Sequence, residues 1–249
     1  MKKRIILGDP HGRWDPIEKI YNKEQPDEVI ILGDYFDSFN IDAYTQRECY
    51  ENIIALRKKH LAKKKGRFIM LIGNHDMHYI DSLNEDFGRC SGWNPLTSYQ
   101  AGYILCRDWD AEILKIVFID EVNKTIYSHA GVSMNWFDFW IKSKSLGDIN
   151  TIEIKAFAFT YKEGGDYYGS SSWNSPLWIR PEGLEKCPYK DKDGIIWSQI
   201  FGHTEPNAPM RWTDCNAEFW GIDCIRNWYV VEELDDNMQL INRYLKRTY

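Results

Sequence analysis

The segment at residues 4–12 reads RIILGDPHG, and it decides the fold class. Its apolar half, residues 4–7, predicts a buried strand that stops at Gly8. Two more apolar runs, at residues 28–32 and 67–72, also stop at a glycine. Helical patterns separate the three runs, and this alternation of strand and helix indicates an α/β fold.

The sequence marks the ends of two predicted helices. The first covers residues 15–21, with Asp15 as the N-cap and Pro16 at the first helical position. The second covers residues 43–65, where basic residues gather at the C-terminal end and Gly66 follows. Its apolar residues recur at helical spacing, and they are Tyr50, Ile53, Ile54 and Leu61.

The second half of the chain is less regular. We expect a hairpin, a mostly helical segment, a Gly/Ser-rich loop, a strand before Gly202 and a terminal pair of strands. These predictions cover residues 113–119 with 124–128, 133–159, 164–175, 195–201 and 218–231, in that order. No repeat or low-complexity linker interrupts the sequence, so we predict a single domain over residues 1–249.

Composition argues against several classes of protein. The 249 residues are 43% hydrophobic and 27% charged, as in an ordinary globular protein rather than a disordered one. The net charge of -6 argues against binding long nucleic acids through a basic face. The sequence contains no run of 18 apolar residues that would predict a membrane span. The apolar stretch at residues 5–7 is too short for the hydrophobic region of a signal peptide, so we expect a cytoplasmic protein. The six cysteines lack CxxC spacing, so we expect reduced thiols.

Five segments place an acid, an amide or a histidine directly after an apolar run. They read GDPHG at residues 8–12, GDYFD at 33–37, GNHD at 73–76, SHAG at 128–131 and GHT at 202–204. In an α/β sheet, ligands bind outside the carboxyl ends of the strands, so these groups are expected to meet at one edge. The glycines let the backbone turn sharply there.

The side chains of this set suggest a metal site. Asp, Asn and His offer oxygen and nitrogen ligands, which suit manganese, iron or zinc. Two ions about 3.5–4 Å apart, sharing a carboxylate, can clamp a phosphate and generate a bound hydroxide near neutral pH. Each motif alone has a simpler interpretation as a turn or a loop-capping residue. Their ordered co-occurrence favours the metal site.

The ordered set resembles the signatures of the calcineurin-like metallophosphoesterases: GDxHG, GDxxD, GNH(D/E), a later His before Gly, and GH. The resemblance covers most of the chain. It implies an α/β fold, a β-sandwich of two mixed sheets flanked by helices, with a dinuclear metal site at one end. It also implies which residues bind the ions: Asp9 and His11 the first, Asp34 both, and Asn74, His129 and His203 the second.

The same resemblance implies a general acid that is not a metal ligand. His75 would protonate the leaving group, and Asp37 would orient its ring. The chemistry of the residues agrees, because a histidine beside a carboxylate keeps a fixed tautomer and can stay protonated near pH 7. The alternative for His75 is a structural hydrogen bond behind the ligands.

Within the superfamily, the sequence is most similar to the phosphoprotein phosphatase branch with its bacterial and phage members. The end motif lacks the second His of GHxH, and PLWIR at residues 176–180 resembles that branch's LLWxR. Arg180 is therefore the candidate phosphate clamp, with a surface arginine as the simpler alternative. Ser38 and Ile72 stand where the branch has phosphate-binding arginines. The candidates to replace them are Arg13, Arg89, Arg107 and Arg211.

These expectations combine into one function. The chain would hydrolyse phosphate monoesters through a hydroxide bridging two divalent ions, with manganese favoured over iron or zinc. The substrate would be a phosphoprotein, as for a serine/threonine phosphatase, or alternatively a nucleotide or another small phosphorylated molecule. A phosphodiesterase or nuclease would use the same metals. A metal-binding scaffold without turnover is the alternative from another class.

Two aromatic segments offer candidates for a pocket wall. Residues 136–140 and 167–173 could form a lid that stacks a base or an aromatic phosphate. The interpretation we favour is that Trp136, Phe137 and Trp140 form one buried face of a helix.

Overall fold

The computed structural model describes residues 1–63, 66–80, 92–142, 145–152, 159, 168–204, 208–223 and 225–249. The strands are β1 (Lys2–Leu7), β2 (Glu28–Ile31), β3 (Phe68–Leu71), β4 (Leu114–Lys115), β5 (Val117–Asp120), β6 (Thr125–Ser128), β7 (Ser198–Phe201), β8 (Met210–Asp214), β9 (Ala217–Gly221), β10 (Trp228–Leu234) and β11 (Leu240–Arg247). The α-helices are α1 (Trp14–Glu24), α2 (Ala43–Ala62), α3 (Asn74–Ile80), α4 (Pro95–Asp110), α5 (Met134–Trp140) and α6 (Pro181–Lys186).

The described strands form two mixed sheets. The first has the order β11-β10-β1-β2-β3-β4, and the second has the order β5-β6-β7-β9-β8. Strands β1 to β4 run parallel, while β10 and β11 pair antiparallel at the other edge. In the second sheet, β6, β7 and β9 are parallel between two antiparallel neighbours. The predicted α/β sandwich of two mixed sheets flanked by helices is confirmed.

The apolar runs are continuous because both faces of the first sheet are covered. Successive side chains of a strand point to opposite faces. Ile5 and Leu7 therefore pack among the residues of α1 and α2, including Ile17 and Ile53. Ile6 lies on the other face, in a cluster that joins the two sheets. That cluster contains Ile6, Ile30, Leu71 and Val230 from the first sheet and Tyr127, Ile200 and Trp220 from the second.

A buried ionic cluster joins the sheets at the end where β1, β2 and β6 begin. Arg4 is fully buried and donates to Glu28, Asp120 and Glu232, with each donor–acceptor distance 2.8 Å. Arg243 of β11 also donates to Glu232 and reaches Thr125 of β6. Two fixed cations thus compensate the buried carboxylates at this end of the sandwich.

The first-half helices differ from the sequence prediction at their ends. Helix α1 begins at Trp14 rather than after an Asp15 cap, and Asp15 instead lies in the first turn, where an acid favours the helix dipole. Helix α2 begins as predicted, with the Asp42 side chain accepting from the Tyr44 and Thr45 amides. It ends at Ala62, and residues 64–65 of the predicted helix lie outside the described part. Leu61 is 39% exposed, so it does not belong to the buried face.

Several second-half predictions were wrong. Residues 113–119 do not form one strand, because β4 joins the first sheet and β5 the second. The strands within 218–231 do not pair with each other, since β9 and β10 belong to different sheets. By contrast, the segment predicted as mostly helical at 133–159 contains α5 and a separate 3-10 helix (Leu146–Thr151), and residues 143–144 and 153–158 lie outside the described part. Helix α4 was not predicted.

The predicted hairpin and the strand before Gly202 are confirmed. The hairpin of β5 and β6 and the strand before Gly202 are present, although the strand begins only at Ser198. The described part of the predicted loop, residues 168–175, contains no helix or strand, and residues 164–167 lie outside it. Cys49, Cys187 and Cys215 carry free thiols. None of the described helices is long and apolar enough to cross a bilayer.

Candidate metal centre

Loops that follow strands of both sheets meet at the opposite end of the sandwich from Arg4. Backbone hydrogen bonds connect neighbouring loops directly. The His11 amide donates to the Asp34 carbonyl at 2.8 Å, and the Gly202 amide donates to the His129 carbonyl at 2.7 Å. The six residues predicted as metal ligands are brought together there: Asp9, His11, Asp34, Asn74, His129 and His203.

One half of the cluster surrounds the side-chain oxygen of Asn74. His129 Nε2 lies 2.8 Å from Asn74 Oδ1 and 3.4 Å from Asp34 Oδ2. His129 Nδ1 lies 3.0 Å from the Leu32 carbonyl, which can only accept, so Nδ1 carries the proton. In the neutral ring, Nε2 therefore carries a lone pair, and this lone pair faces the acceptor oxygens of Asn74 and Asp34. Lone pairs that converge in this way fit a bound cation.

The other half of the cluster contains Asp9, His11 and Asp34. His11 Nδ1 lies 2.7 Å from the Phe36 carbonyl, which fixes its proton on Nδ1 by the same argument. His11 Nε2 then presents a lone pair 3.8 Å from Asp34 Oδ2. Asp9 Oδ1 is buried and has no hydrogen-bond partner in the described structure, so it too presents a lone pair. Asp34 thus contacts both halves, as a shared ligand would.

The protonation states agree with metal binding. Burial lowers the pKa of His11 to about 4 and that of His203 to about 3, with the charge of His75 adding to both shifts. Burial also lowers the pKa of His129 well below its usual range. All three rings are therefore neutral near pH 7. Burial, together with the charges of Asp223 and Asp34, raises the pKa of Asp9, so this carboxylate needs a nearby cation to stay ionised.

Glycines allow the loops to approach each other this closely. A Cβ on Gly73 would lie 2.0 Å from Asp34 Oδ1, and a Cβ on Gly202 would lie 2.0 Å from Asp9 Oδ1. Neither methyl group could fit without moving a carboxylate. His11, Asp34 and His203 themselves adopt positive φ angles of 44°, 54° and 65°. Non-glycine residues rarely take this conformation, and functional sites are where such strain is concentrated.

The His75 ring lies beside the cluster and is held by the Asp37 carboxylate, while the His75 backbone amide donates to Asp34 Oδ1 at 2.9 Å. Its Nδ1 is 2.9 Å from Asp37 Oδ2. The same oxygen lies 2.8 Å from His78 Nε2, and the Tyr79 hydroxyl donates to Asp37 Oδ1. Burial raises the pKa of Asp37, but the contacts with His75, His78 and Tyr79 outweigh it and lower the pKa to about 2. Asp37 is therefore an ionised anchor for the His75 ring.

A cavity of about 480 Å³ opens over this centre. Asp9, His11, Asp34, His75 and His203 line it, and so do three arginines: Arg13, Arg180 and Arg226. The three guanidinium groups suit a phosphorylated ligand, although the whole chain is acidic. Of the candidate arginines, Arg13 lines the cavity, whereas Arg107 pairs with Asp108 and Arg211 with Glu218. Arg89 lies outside the described residues.

Sequence reasoning missed several residues of the site. Asp223 offers a carboxylate oxygen within 4.8 Å of ligand atoms of Asp9 and His11, and it follows β9 as the other acids follow their strands. The run FWGI before it was a usable signal. Asp76 accepts from the Tyr35 and Gly73 amides and so joins two ligand loops. Arg226 had no comparable signal, because its position depends on the path of a loop. His78 and Tyr79 lie on α3, one helical turn after Asn74 and His75.

The aromatic segments do not wall the described cavity. Trp136 and Phe137 are buried, as the interpretation we favoured from the sequence requires, and Trp140 packs against the core. Phe139 is 54% exposed. The aromatic side chain that does line the cavity is Phe39, which is 79% exposed. Tyr167, in the other lid candidate, lies outside the described residues.

The fold and site together define an α/β sandwich with a metal-binding centre at the ends of its strands. A family model described as calcineurin-like phosphoesterase matches residues 2–235. The chain therefore belongs to the calcineurin-like phosphoesterases, enzymes that hydrolyse phosphoesters with a pair of metal ions. The phosphoprotein phosphatase branch is not established by this match. Among curated proteins, none matches the chain.

Solved structures with similarity to the chain include two bacterial proteins. A Thermotoga maritima protein, solved by solution NMR, shares 15% identity over 99% of each chain, with a TM-score of 0.42. A conserved Streptococcus pneumoniae protein, described as a predicted phosphoesterase, shares 10% identity. That match covers 99% of this chain and 97% of the other, with a TM-score of 0.31.

Proposed function

We propose that this chain is a phosphomonoesterase that uses two divalent ions, with manganese favoured, and resembles the serine/threonine phosphatases in its site. The observation that carries the proposal is the convergence of neutral imidazole lone pairs and buried carboxylates beside the His75–Asp37 pair. Two ions bound there would polarise the phosphoryl group and activate water. The three arginines that line the cavity favour a monoester, because its doubly charged phosphate is stabilised most by positive groups.

The ligand residues divide between two positions. Asp9 and His11 would hold the first ion, Asp34 would contact both, and Asn74, His129 and His203 would hold the second. The distances support this division, since His129 and His203 both lie within 3.0 Å of Asn74 Oδ1. His11 and His129 each donate their Nδ1 proton to a backbone carbonyl. Backbone carbonyls in that role orient the rings before any ion arrives.

His75 would transfer a proton to the leaving oxygen. Its Nδ1 is fixed by Asp37, so Nε2 is the nitrogen that can give a proton to the substrate. The Asp37 carboxylate stays ionised and stabilises the protonated imidazole. His75 lines the cavity with 18% of its side chain exposed, which gives a substrate access to the ring.

Arg13, Arg180 and Arg226 would bind the phosphate from the open side of the cavity. A guanidinium fork matches two phosphoryl oxygens and neutralises the charge that develops during transfer. Arg13 is placed by its own backbone contact, since its guanidinium donates to the Pro10 carbonyl at 3.2 Å. In this proposal, Arg13 and Arg226 bind phosphate in place of the two arginines that the phosphatase branch has at the positions of Ser38 and Ile72.

A second cavity, of about 620 Å³, adjoins the first and shares Arg13 and Arg226 with it. Its walls include Trp14, Pro16 and Ile41. A phosphate held by the two shared arginines would place its leaving group at this opening. The cavity is large enough for an amino-acid side chain with its peptide, or for a nucleoside, so it supports both substrate classes.

The first experiment compares p-nitrophenyl phosphate with its bis ester, with manganese added and with metal stripped. We expect metal-dependent release from the monoester, and comparison of phosphopeptides with nucleotides would then identify the substrate class. A preference for the bis ester would replace the proposal with a phosphodiesterase. Two bound metals without release from either ester would favour a silent scaffold.

The role of His75 gives a separate prediction. His75→Asn should keep both metals but lower turnover of an alkyl phosphate by about 10²–10⁴-fold, because a poor leaving group needs the proton. Turnover of p-nitrophenyl phosphate should fall much less, since nitrophenolate leaves without protonation. The substrate pair is the internal control. Equal losses on both esters would show that His75 acts in another way.

A further inference from the structure

Asp223 is an acidic residue of the site to which neither the family resemblance nor the sequence motifs give a role. It lines the cavity over the metal centre and is only 9% exposed. One of its carboxylate oxygens lies within 4.8 Å of a ligand atom of Asp9 and of a ligand atom of His11. This trio is separate from the second position, which is centred on Asn74.

The backbone places Asp223 there through a close contact between the segment that follows β1 and the segment that follows β9. A Cβ on Gly8 would lie 2.1 Å from the Ile222 carbonyl oxygen and 3.3 Å from Asp223 Cα. The Ile222 amide donates to the Phe201 carbonyl at 2.8 Å, which ties the same segment to β7. Asp223 is thus held on both sides by the strands whose ends carry Asp9 and His203.

The charges in this region call for a cation. Asp9, Asp34 and Asp223 bring three carboxylates into a buried space, where a divalent cation would offset their mutual repulsion. The Asp9 oxygen Oδ1 is buried without a hydrogen-bond partner in the described structure. The lone pair of His11 Nε2 faces the same space. A divalent cation that prefers oxygen ligands would satisfy all of these groups.

We infer that Asp223 is a further ligand of the ion held by Asp9 and His11. The inference rests on the proposed function, because it assumes that this position binds a metal. It makes the first position rich in oxygen ligands, with three carboxylates and one imidazole. The second position has two imidazoles, an amide oxygen and the shared carboxylate of Asp34. The two positions therefore differ in chemistry, and the first should prefer Mn²⁺ over softer ions.

The competing role for Asp223 is to position Arg226, which lies three residues along the same loop and lines the same cavity. That role predicts a different phenotype. A variant that no longer positions Arg226 would bind phosphate and substrate less well, while its metal content stayed the same.

The test is titration of the metal-stripped protein with Mn²⁺ by calorimetry, using Asp223→Ala and Asp223→His. Asp193→Ala is the matched control, since it removes an exposed carboxylate far along the chain. We expect two ions in wild type and in the control. Asp223→Ala should weaken one of the two binding events at least about tenfold and leave the other unchanged. Asp223→His should restore part of the lost affinity, because imidazole is also a ligand.

Thermal unfolding of the metal-free proteins checks that the variants fold. Asp223→Ala removes one of three neighbouring carboxylates, so the metal-free variant should stay folded, while the gain in Tm on adding Mn²⁺ shrinks. If Asp223→Ala binds two ions with unchanged affinity, the inference is wrong although the proposed function stands. If wild type itself binds no ion, the proposed function fails first.

Discussion

At the scale of single residues, the site depends on short side chains at strand ends and on the glycines beside them. The ligand candidates from Asp9 to His203 could be predicted because each stands next to its strand in the sequence. Asp223 has the same placement, but its strand was assigned to a terminal pair, so its carboxylate was not grouped with the others. Arg226 could not have been predicted, because its place in the cavity depends on the path of a loop.

Gly202 gives the first residue-scale prediction. In Gly202→Ala, the new methyl group would occupy the position of Asp9 Oδ1, 2.0 Å away, so the carboxylate must move. We expect manganese affinity to fall by about 10–100-fold, as when a group that orients a ligand is lost. Calorimetric titration with Mn²⁺ measures the change.

Gly147→Ala is the matched control for this substitution. A Cβ on Gly147 would approach nothing closer than Ser145 Oγ at 3.7 Å. Its manganese affinity should equal that of wild type. Similar losses in both variants would show that the effect comes from general destabilisation and not from the contact with Asp9.

At the scale of elements, the buried strands could be predicted from the sequence, because both faces of the first sheet are covered and the strands are therefore unbroken apolar runs. The point at which the chain passes from one sheet to the other could not be predicted. Residues 113–119 were predicted as one strand, yet Ile116 separates a strand of each sheet. Pairing partners are chosen by long-range packing, which local periodicity does not encode. The same cause separates β9 from β10.

The buried ionic cluster around Arg4 is expected to make a large contribution to the free energy of unfolding. Arg4→Met leaves Glu28, Asp120 and Glu232 buried with less compensation, so we expect a loss of about 3–5 kcal/mol in the free energy of unfolding. Arg67→Met is the control, because Arg67 also pairs with Glu28 but its side chain is 46% exposed. It should cost about 1 kcal/mol or less. Urea denaturation of both variants tests this, and equal losses would contradict it.

Glu24, at the end of α1, predicts an acid-sensitive contact between elements. It accepts from Lys3 of β1, Tyr229 of β10 and Lys246 of β11. Burial raises its pKa, but these hydrogen bonds outweigh that and lower the pKa to about 2, from an ordinary 4.5. The folded state therefore gains stability from ionised Glu24 above pH 4.5, and the gain is lost as the pH falls towards 2.

The measurement is the free energy of unfolding of wild type and Glu24→Gln as a function of pH. We expect wild type to be the more stable near neutral pH, with the difference shrinking between pH 4.5 and about 2. Glu48→Gln serves as the matched control, because it removes an exposed carboxylate. A difference for Glu24→Gln that does not change over this range would contradict the assignment.

At the scale of the whole molecule, the metal centre takes its residues from both sheets. Asp9, His11, Asp34 and Asn74 follow strands of the first sheet, while His129, His203 and Asp223 follow strands of the second. Bound ions would therefore connect the two layers. Because ligands of the folded state stabilise it by mass action, Mn²⁺ at about 100 times its dissociation constant should add about 2.7 kcal/mol. Thermal unfolding across a manganese titration tests this, and a constant Tm would contradict it.

The two ends of the sandwich are held by cations of different permanence. At one end, Arg4 and Arg243 are part of the chain and are present as soon as it folds. At the other end, the positive charge comes from solution and can leave again. We therefore expect the polypeptide to fold first and be loaded later. The ion that a given molecule carries would then follow the supply around it at the time of loading, and one ion could be exchanged for another without the chain unfolding.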